Sequence, residues 1–116
     1  MAQVARPRDL IIYALPSGEE PLTAWLDDLP PVMAGRIQRR IARMSLGNFG
    51  DHKGVGSGVQ ELRMTFGPGY RVYFAEDGPR LVLLLCGGDK GSQRQDIKRA
   101  VAYWQDYLDH REEEQP

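Results

Sequence analysis

Apolar and polar positions alternate most clearly over residues 59–66 (VQELRMTF), with Leu62, Met64 and Phe66 on one face and Glu61, Arg63 and Thr65 on the other. A period of two predicts a strand. Gly67-Pro68-Gly69 interrupts the run as a tight hairpin connection does. Residues 70–75 then resume it, with Tyr70, Val72 and Phe74 opposed to Arg71, Tyr73 and Ala75. A second turn over 76–79 leads into the apolar run 81–86 (LVLLLC), the pattern of a strand buried on both faces. A three-residue turn pairing Phe66 with Tyr70 sets Thr65 opposite Arg71 and Arg63 opposite Tyr73, within contact distance. The expectation is two guanidiniums and a phenol clustered on the face that points away from the core.

The remainder of the chain reads as helices flanking this sheet. Residues 1–7 are expected to fray, and 10–15 (LIIYAL) form a first strand ended by Pro16-Ser17-Gly18. Over 19–29, Leu22, Trp25, Leu26 and Leu29 recur at helical spacing, with Glu19 and Glu20 in the first turn where the helix dipole favours them. Pro30-Pro31 stops that helix and starts another. The second helix carries an apolar stripe of Met33, Ile37, Ile41 and Met44, a separate face of Arg36, Arg39, Arg40 and Arg43, and Gly47-Asn48 as its stop. Residues 47–58 form a glycine-rich loop with Asp51, His52 and Lys53 at its tip. It lacks the lysine-serine/threonine ending and the following helix of a Walker A loop, which argues against a nucleotide site. Residues 87–91 turn the chain, Ser92 and Gln95 make a capping-box pattern, and Ile97, Val101, Trp104 and Leu108 define an amphipathic helix. Residues 112–116 are an acidic, solvated tail. The order is βααβββα: an α+β fold with a mostly antiparallel four-stranded sheet, an N-terminal helical hairpin and a C-terminal helix. The reading is one domain over 1–116, with flexible ends at about 1–7 and 111–116.

Composition narrows the class. At 41% hydrophobic and 27% charged residues, the chain has an ordinary soluble composition and the length for one core. Its longest apolar run is too short to span a bilayer, and no charged-then-apolar leader precedes it. The lone Cys86 sits in that run as a small buried hydrophobe and forms no internal disulfide. The cytoplasm is the expected compartment, with no membrane partner. With no cysteine pair and no His-x-x-x-His, neither a metal nor another cofactor is expected. A net charge of −1 argues against a polyanionic partner, but its distribution argues for one. Residues 31–71 carry seven basic and two acidic side chains, and local fields govern where a polyanion docks. The four helix arginines are either a solvated face or a contact for phosphates or an acidic partner.

Four motifs then become specific: V-x-E-L-R at 59–63, G-P-G-Y-R-V-Y-F at 67–74, L-x-L-L-L-C-G-G-D-K at 81–90 and Q-x-x-D-I-x-x-A at 93–100. With L-G-N-x-G-D-x-K at 46–53, they resemble the RelE/ParE superfamily of toxins, closest to the HigB-like addiction module killer proteins of type II toxin–antitoxin systems. The resemblance covers roughly residues 9–108 and agrees with the βααβββα order. It implies either an mRNA interferase that cuts translated message on the ribosome or a ParE-type inhibitor of DNA gyrase. It also implies a cognate antitoxin, commonly a small helix-turn-helix DNA-binding protein, whose complex with the toxin binds operator DNA. A catalytically silent relative that only binds its antitoxin is a further reading.

The resemblance carries roles onto individual residues. Arg63 matches the arginine of E-L-R, Arg71 that of G-Y-R, Lys90 the lysine of G-G-D-K, and Lys53 the lysine of the preceding loop. Metal-independent RNA cleavage needs activation of a 2′-hydroxyl, protonation of the 5′ leaving oxygen and stabilisation of a phosphorane. Arginine forks suit phosphate, and the two lysines can supply acid or base. Tyr73, set between cations, is expected to have a lowered phenol pKa and to stack on a base or shuttle a proton. The candidate catalytic set is therefore Arg63, Arg71, Lys90, Tyr73 and Lys53. RNA contacts are assigned to Arg36, Arg40, Arg43, His52, Asp89 and Arg94, and antitoxin contacts to Arg36, Arg39 and Arg43. With only His52 and His110 in the chain, a two-histidine ribonuclease mechanism is not expected. The alternative without function pairs Arg63 with Glu61 or Asp89 and leaves Arg71 as a sheet-surface residue.

Overall fold

The apolar run of residues 81–86 is the most buried strand, and the layers form around it. The computed structural model describes residues 6–114. Their order is β1 (Asp9–Ile12), α1 (Pro21–Asp27), α2 (Pro31–Ala42), β2 (His52–Gly56), β3 (Val59–Arg63), β4 (Tyr70–Asp77), β5 (Leu81–Asp89) and α3 (Gln93–Glu114). The fold is α+β, and the sheet has five strands in the order β1-β5-β4-β3-β2. Strand β1 pairs with β5 in parallel, and the other neighbours are antiparallel.

Two cores result, one on each face of the sheet. On one face, Leu22, Leu26, Ile37, Ile41 and Met44 of the helical hairpin pack on Leu62, Met64, Val72, Phe74 and Leu84. On the other, Ile97, Ala100, Val101 and Trp104 of α3 cover Val59, Tyr73, Ala75, Leu83 and Leu85. The alternation in the sequence thus reports faces correctly, but neither face of the sheet centre is free. The arginine face is the floor of a second core, open only where α3 has not yet begun.

Several expected elements are corrected. The sheet has a fifth strand where a glycine loop was expected, because residues 52–56 pair antiparallel with β3. Gly56, Ser57 and Gly58, all at positive φ, close this hairpin. Helix α1 starts at Pro21 and ends at Asp27, so Glu19 and Glu20 precede it and do not occupy its first turn. Strand β3 ends at Arg63, three residues before its expected end, and β1 ends at Ile12. The capping box is formed by Asp89 and Ser92 around a 3-10 turn at Lys90–Ser92, not by Ser92 and Gln95. Helix α3 continues through three residues of the expected tail, to Glu114. The expected fraying of residues 1–5 and the tail residues 115–116 lie outside the described residues. Among the described residues, no helix is long and apolar enough to cross a membrane.

The Gly87-Gly88 pair is strand and not turn, opposite Val72 and Arg71 of β4. Its glycines are explained by what lies on either side. A Cβ at Gly87 would run into the Trp25 ring from α1, and one at Gly88 into the Asp96 carboxyl from α3. Here the two helical layers approach β5 so closely that no side chain fits. Asp96 is itself buried, accepting hydrogen bonds from Ser92 Oγ (2.5 Å) and Arg99 Nη2 (2.7 Å).

Gly88→Ala is expected to destabilise the fold by about 1–3 kcal/mol through overpacking against Asp96. In urea this is a lower transition midpoint with an unchanged slope. A pH effect follows from Glu76, which accepts from Gln60 Nε2 (2.9 Å) and Arg8 Nη1 (2.6 Å). Burial alone would raise its pKa, but these two bonds and the Arg8 charge outweigh burial and hold it below the ordinary value. The unfolded chain then binds the extra proton, so this stabilisation is present above about pH 4 and is lost as pH falls through the folded value. Glu76→Gln should flatten the acid limb of a stability–pH profile.

Candidate functional site

Strand register decides the site. Arg63 pairs with Arg71, and Glu61 with Tyr73. This is a two-residue shift from the expected pairing, caused by the wider connection over 64–69, in which Met64 N–H donates to Tyr70 O (3.0 Å). A shift of two keeps every side chain on its expected face and changes only its neighbours. The arginines therefore stand side by side at the end of the sheet, and Lys90 reaches the same place from the 3-10 turn after β5. Together with Asp51, Thr65 and the Gly67–Gly69 turn they line an open cleft of about 390 Å³. A second hollow of similar size, about 400 Å³, lies between β1 and the last turns of α3 against Ile11, Ile12 and Tyr107, with no such convergence of cations.

Each arginine has its own carboxyl group. Beneath Arg71 lies Glu61, wholly buried, with its Oε1 3.6 Å from Arg71 Nε. Glu61 Oε2 accepts from Tyr73 Oη (3.1 Å) and from Gln93 Nε2 of α3 (2.8 Å). Arg71 Nη1 also donates to the backbone oxygens of Met64 (3.3 Å) and Tyr70 (3.0 Å), so the guanidinium is fixed from several sides. Arg63 instead pairs with Asp51, whose Oδ1 accepts from Nη2 (2.9 Å) and Nε (3.3 Å). That hydrogen bond holds Asp51 below the usual carboxylate range and raises the Arg63 guanidinium. Lys90 is exposed, and no ion pair among the described residues engages it.

The other expected residues separate from this group. Tyr73 is buried under α3, and burial together with Glu61 raises its phenol pKa, the opposite of the lowering expected between cations. It anchors Glu61 and cannot stack on a base or carry a proton in the cleft. Lys53 is exposed on β2, in register with Glu61, and does not line the cleft. His52 lies on the helical-hairpin face, its ring against Phe49 (5.4 Å) and Phe74 (6.3 Å), with Nδ1 2.8 Å from Gly50 O. Asp89 is spent on the 3-10 turn, accepting from Gly91 N–H (2.8 Å), and among the described residues pairs with no arginine. Arg94 is exposed on the first turn of α3 in a separate shallow depression with Gln95 and Lys98.

The four helix arginines also divide. Arg40 turns inward and donates to the backbone oxygens of Phe49 (2.6 Å), Asp51 (3.2 Å) and Arg63 (3.4 Å). Burial lowers its pKa, with Asp51 opposing. It is a brace between α2 and the cleft wall, not a surface contact. Arg36 lies over the Phe66 ring, 3.9 Å from the centroid. Arg36, Arg39 and Arg43 remain exposed, in a helical row that begins at Val32 (71% exposed) and ends at Leu46 (67%).

Sequence reasoning missed Asp51, Glu61 and Gln93 as parts of the site. The alternation had put Glu61 on the arginine face, but only the register makes it the floor beneath Arg71. Asp51 and Gln93 are brought in from other elements, and no local pattern marks them. Chemically, two planar donor forks and an ammonium around one cleft have the charge and donor geometry that match phosphate oxygens.

Replacing Arg71 with Met would leave Glu61 buried without its cation, at a cost of about 1–3 kcal/mol. Lys90→Ala should stay within about 0.5 kcal/mol of the parent. Urea unfolding of the two variants measures the difference.

No family model matches the chain. An uncharacterized protein of Haemophilus influenzae is 50% identical over 78 residues, a match that spans 66% of this chain and 79% of that protein. The shared stretch is long enough, and covers enough of the relative, to establish common membership. The chain belongs to the same family as this Haemophilus influenzae protein.

Proposed function

We propose that the chain is the toxin of a type II toxin–antitoxin system, a HigB-like member of the RelE/ParE superfamily with that fold. In this reading it is a metal-independent, ribosome-dependent mRNA endoribonuclease of the cytoplasm. The observation that carries this is the convergence of Arg63, Arg71 and Lys90 on one cleft, from three separate motifs. The cleft favours the transition state of RNA cleavage by charge. As the 2′ hydroxyl gives its proton to solvent water and its oxygen attacks phosphorus, the bond to the 5′ oxygen breaks, and the negative charge that grows on the non-bridging oxygens is opposed by the fixed Arg71 fork and Arg63. Lys90, at the rim, donates the proton that the departing 5′ oxygen takes up. Tyr73, Lys53 and His52 have no part in this step, since they lie outside the cleft.

The exposed row of Arg36, Arg39 and Arg43 suits an acidic segment of a cognate antitoxin, which would cover these cations by electrostatic complementarity. The antitoxin, itself a small helix-turn-helix protein, would bring the complex to operator DNA.

Brief induction in cells, with pulse-labelling of protein and DNA synthesis and mapping of message 5′ ends, tests the proposal. Translation should fall first, with new in-frame cuts in coding regions. Lys90→Ala, folded and soluble, should reduce cutting by about 10²-fold or more. DNA synthesis failing first, with intact messages, would favour gyrase inhibition. No effect on either would leave an antitoxin-binding protein without activity.

A further inference from the structure

The two arginines of the cleft are neutralised in unlike ways. Glu61 is fully buried, held by three side chains from β4 and α3, and no solute can displace it. Asp51 has a side chain 51% exposed, and among the described residues its carboxylate bonds to Arg63 alone. Both of those bonds fall on one oxygen, Oδ1, so the pair lacks the two-oxygen match that makes arginine–carboxylate bonding strong. Its backbone is nevertheless fixed, since Asp51 O accepts from Arg63 N–H (2.9 Å) and Arg40 Nη2 (3.2 Å). The carboxylate can therefore swing away by side-chain rotation without moving the cleft wall.

We propose that Asp51 is an exchangeable internal anion, which occupies Arg63 until a phosphate of single-stranded RNA replaces it. Asp51 thereby sets the affinity of the cleft and admits only ligands that present several phosphate oxygens to Arg63, Arg71 and Lys90 together. This rests on reading the cleft as a phosphate site. An exposed ion pair is weak and further weakened by salt, so the exchange costs little, while the incoming phosphate gains three cations at once. Asp51 is a competitor for Arg63, not a catalytic residue. The sequence hides this role, because Asp51 and Arg63 lie on different strands and in different motifs.

The test is binding of a short 2′-O-methyl oligoribonucleotide, which cannot be cleaved, followed by fluorescence anisotropy over a salt series. Asp51→Asn should tighten binding roughly two- to fivefold, the worth of the released pair. It should also steepen the dependence of log K on log salt by up to about 0.7, one further phosphate contact. Arg63→Gln should abolish that gain, so that the double variant binds like Arg63→Gln alone. Asp27→Asn, the same charge change at an exposed site on α1, should have no such effect. Unchanged or weaker binding by a folded Asp51→Asn overturns the proposal, as does an equal gain from Asp27→Asn. The cleft reading fails separately: binding indifferent to both Lys90→Ala and Arg63→Gln would overturn it and this inference together. Binding lost in Lys90→Ala but not improved in Asp51→Asn would overturn only the role of Asp51.

Discussion

Burial of the sheet on both faces is the constraint from which the other features follow. Strand β5 from Val82 to Gly88 has helices above and below it, and the two layers close so tightly that glycine is required at 87 and 88. Polar groups on the α3 face must then be paired internally, because buried polar atoms without partners are costly. Asp96 is held by Ser92 and Arg99, and Glu61 Oε2 accepts from Tyr73 and Gln93, while Glu61 Oε1 makes no hydrogen bond and meets Arg71 Nε only as an ion pair at 3.6 Å. The cleft lies where this cover ends. Helix α3 begins at Gln93, so the sheet end carrying Arg63 and Arg71 is left open, with Lys90 on the turn leading into the helix.

Electrostatics at that opening are graded by depth. The deepest cation, Arg71, is locked to a buried carboxyl and to backbone oxygens. Arg63, nearer solvent, shares a half-exposed carboxylate, and Lys90 at the rim is in no ion pair among the described residues. Such a gradient leaves a rigid donor fork at the floor and adaptable charge at the mouth, an arrangement suited to a phosphodiester that enters from solvent. Arg40 contributes from outside the cleft: by bracing Phe49, Asp51 and Arg63, it joins the helical hairpin to the cleft wall.

Much of this was legible in residue order. Period-two alternation placed Arg63 and Arg71 on one face and Leu62, Met64 and Phe74 on the other, and the stripe of Met33, Ile37 and Ile41 located α2, whose expected continuation through Met44 is a 3-10 turn over Arg43–Leu46. Strand β2 was illegible for a physical reason. His52-Lys53-Gly54-Val55-Gly56 has no apolar alternation, since it is a mostly exposed edge paired with β3, with only Val55 half-buried and the His52 ring against Phe49 and Phe74. The fate of Tyr73 was likewise hidden: alternation gives its face, but not that α3 would cover it.

The sequence by itself determined which residues could be core and which face each strand side chain takes, with Arg63 and Arg71 on the same face. These follow from local periodicity, which depends only on backbone geometry. Tertiary structure alone decided the partners. Register set Arg63 beside Arg71, the docking of α3 buried Tyr73 and Glu61, and the path of residues 47–52 brought Asp51 to Arg63. Pairings of this kind depend on side chains distant in sequence meeting in space, and no local pattern encodes which of several carboxyl groups a given arginine will meet.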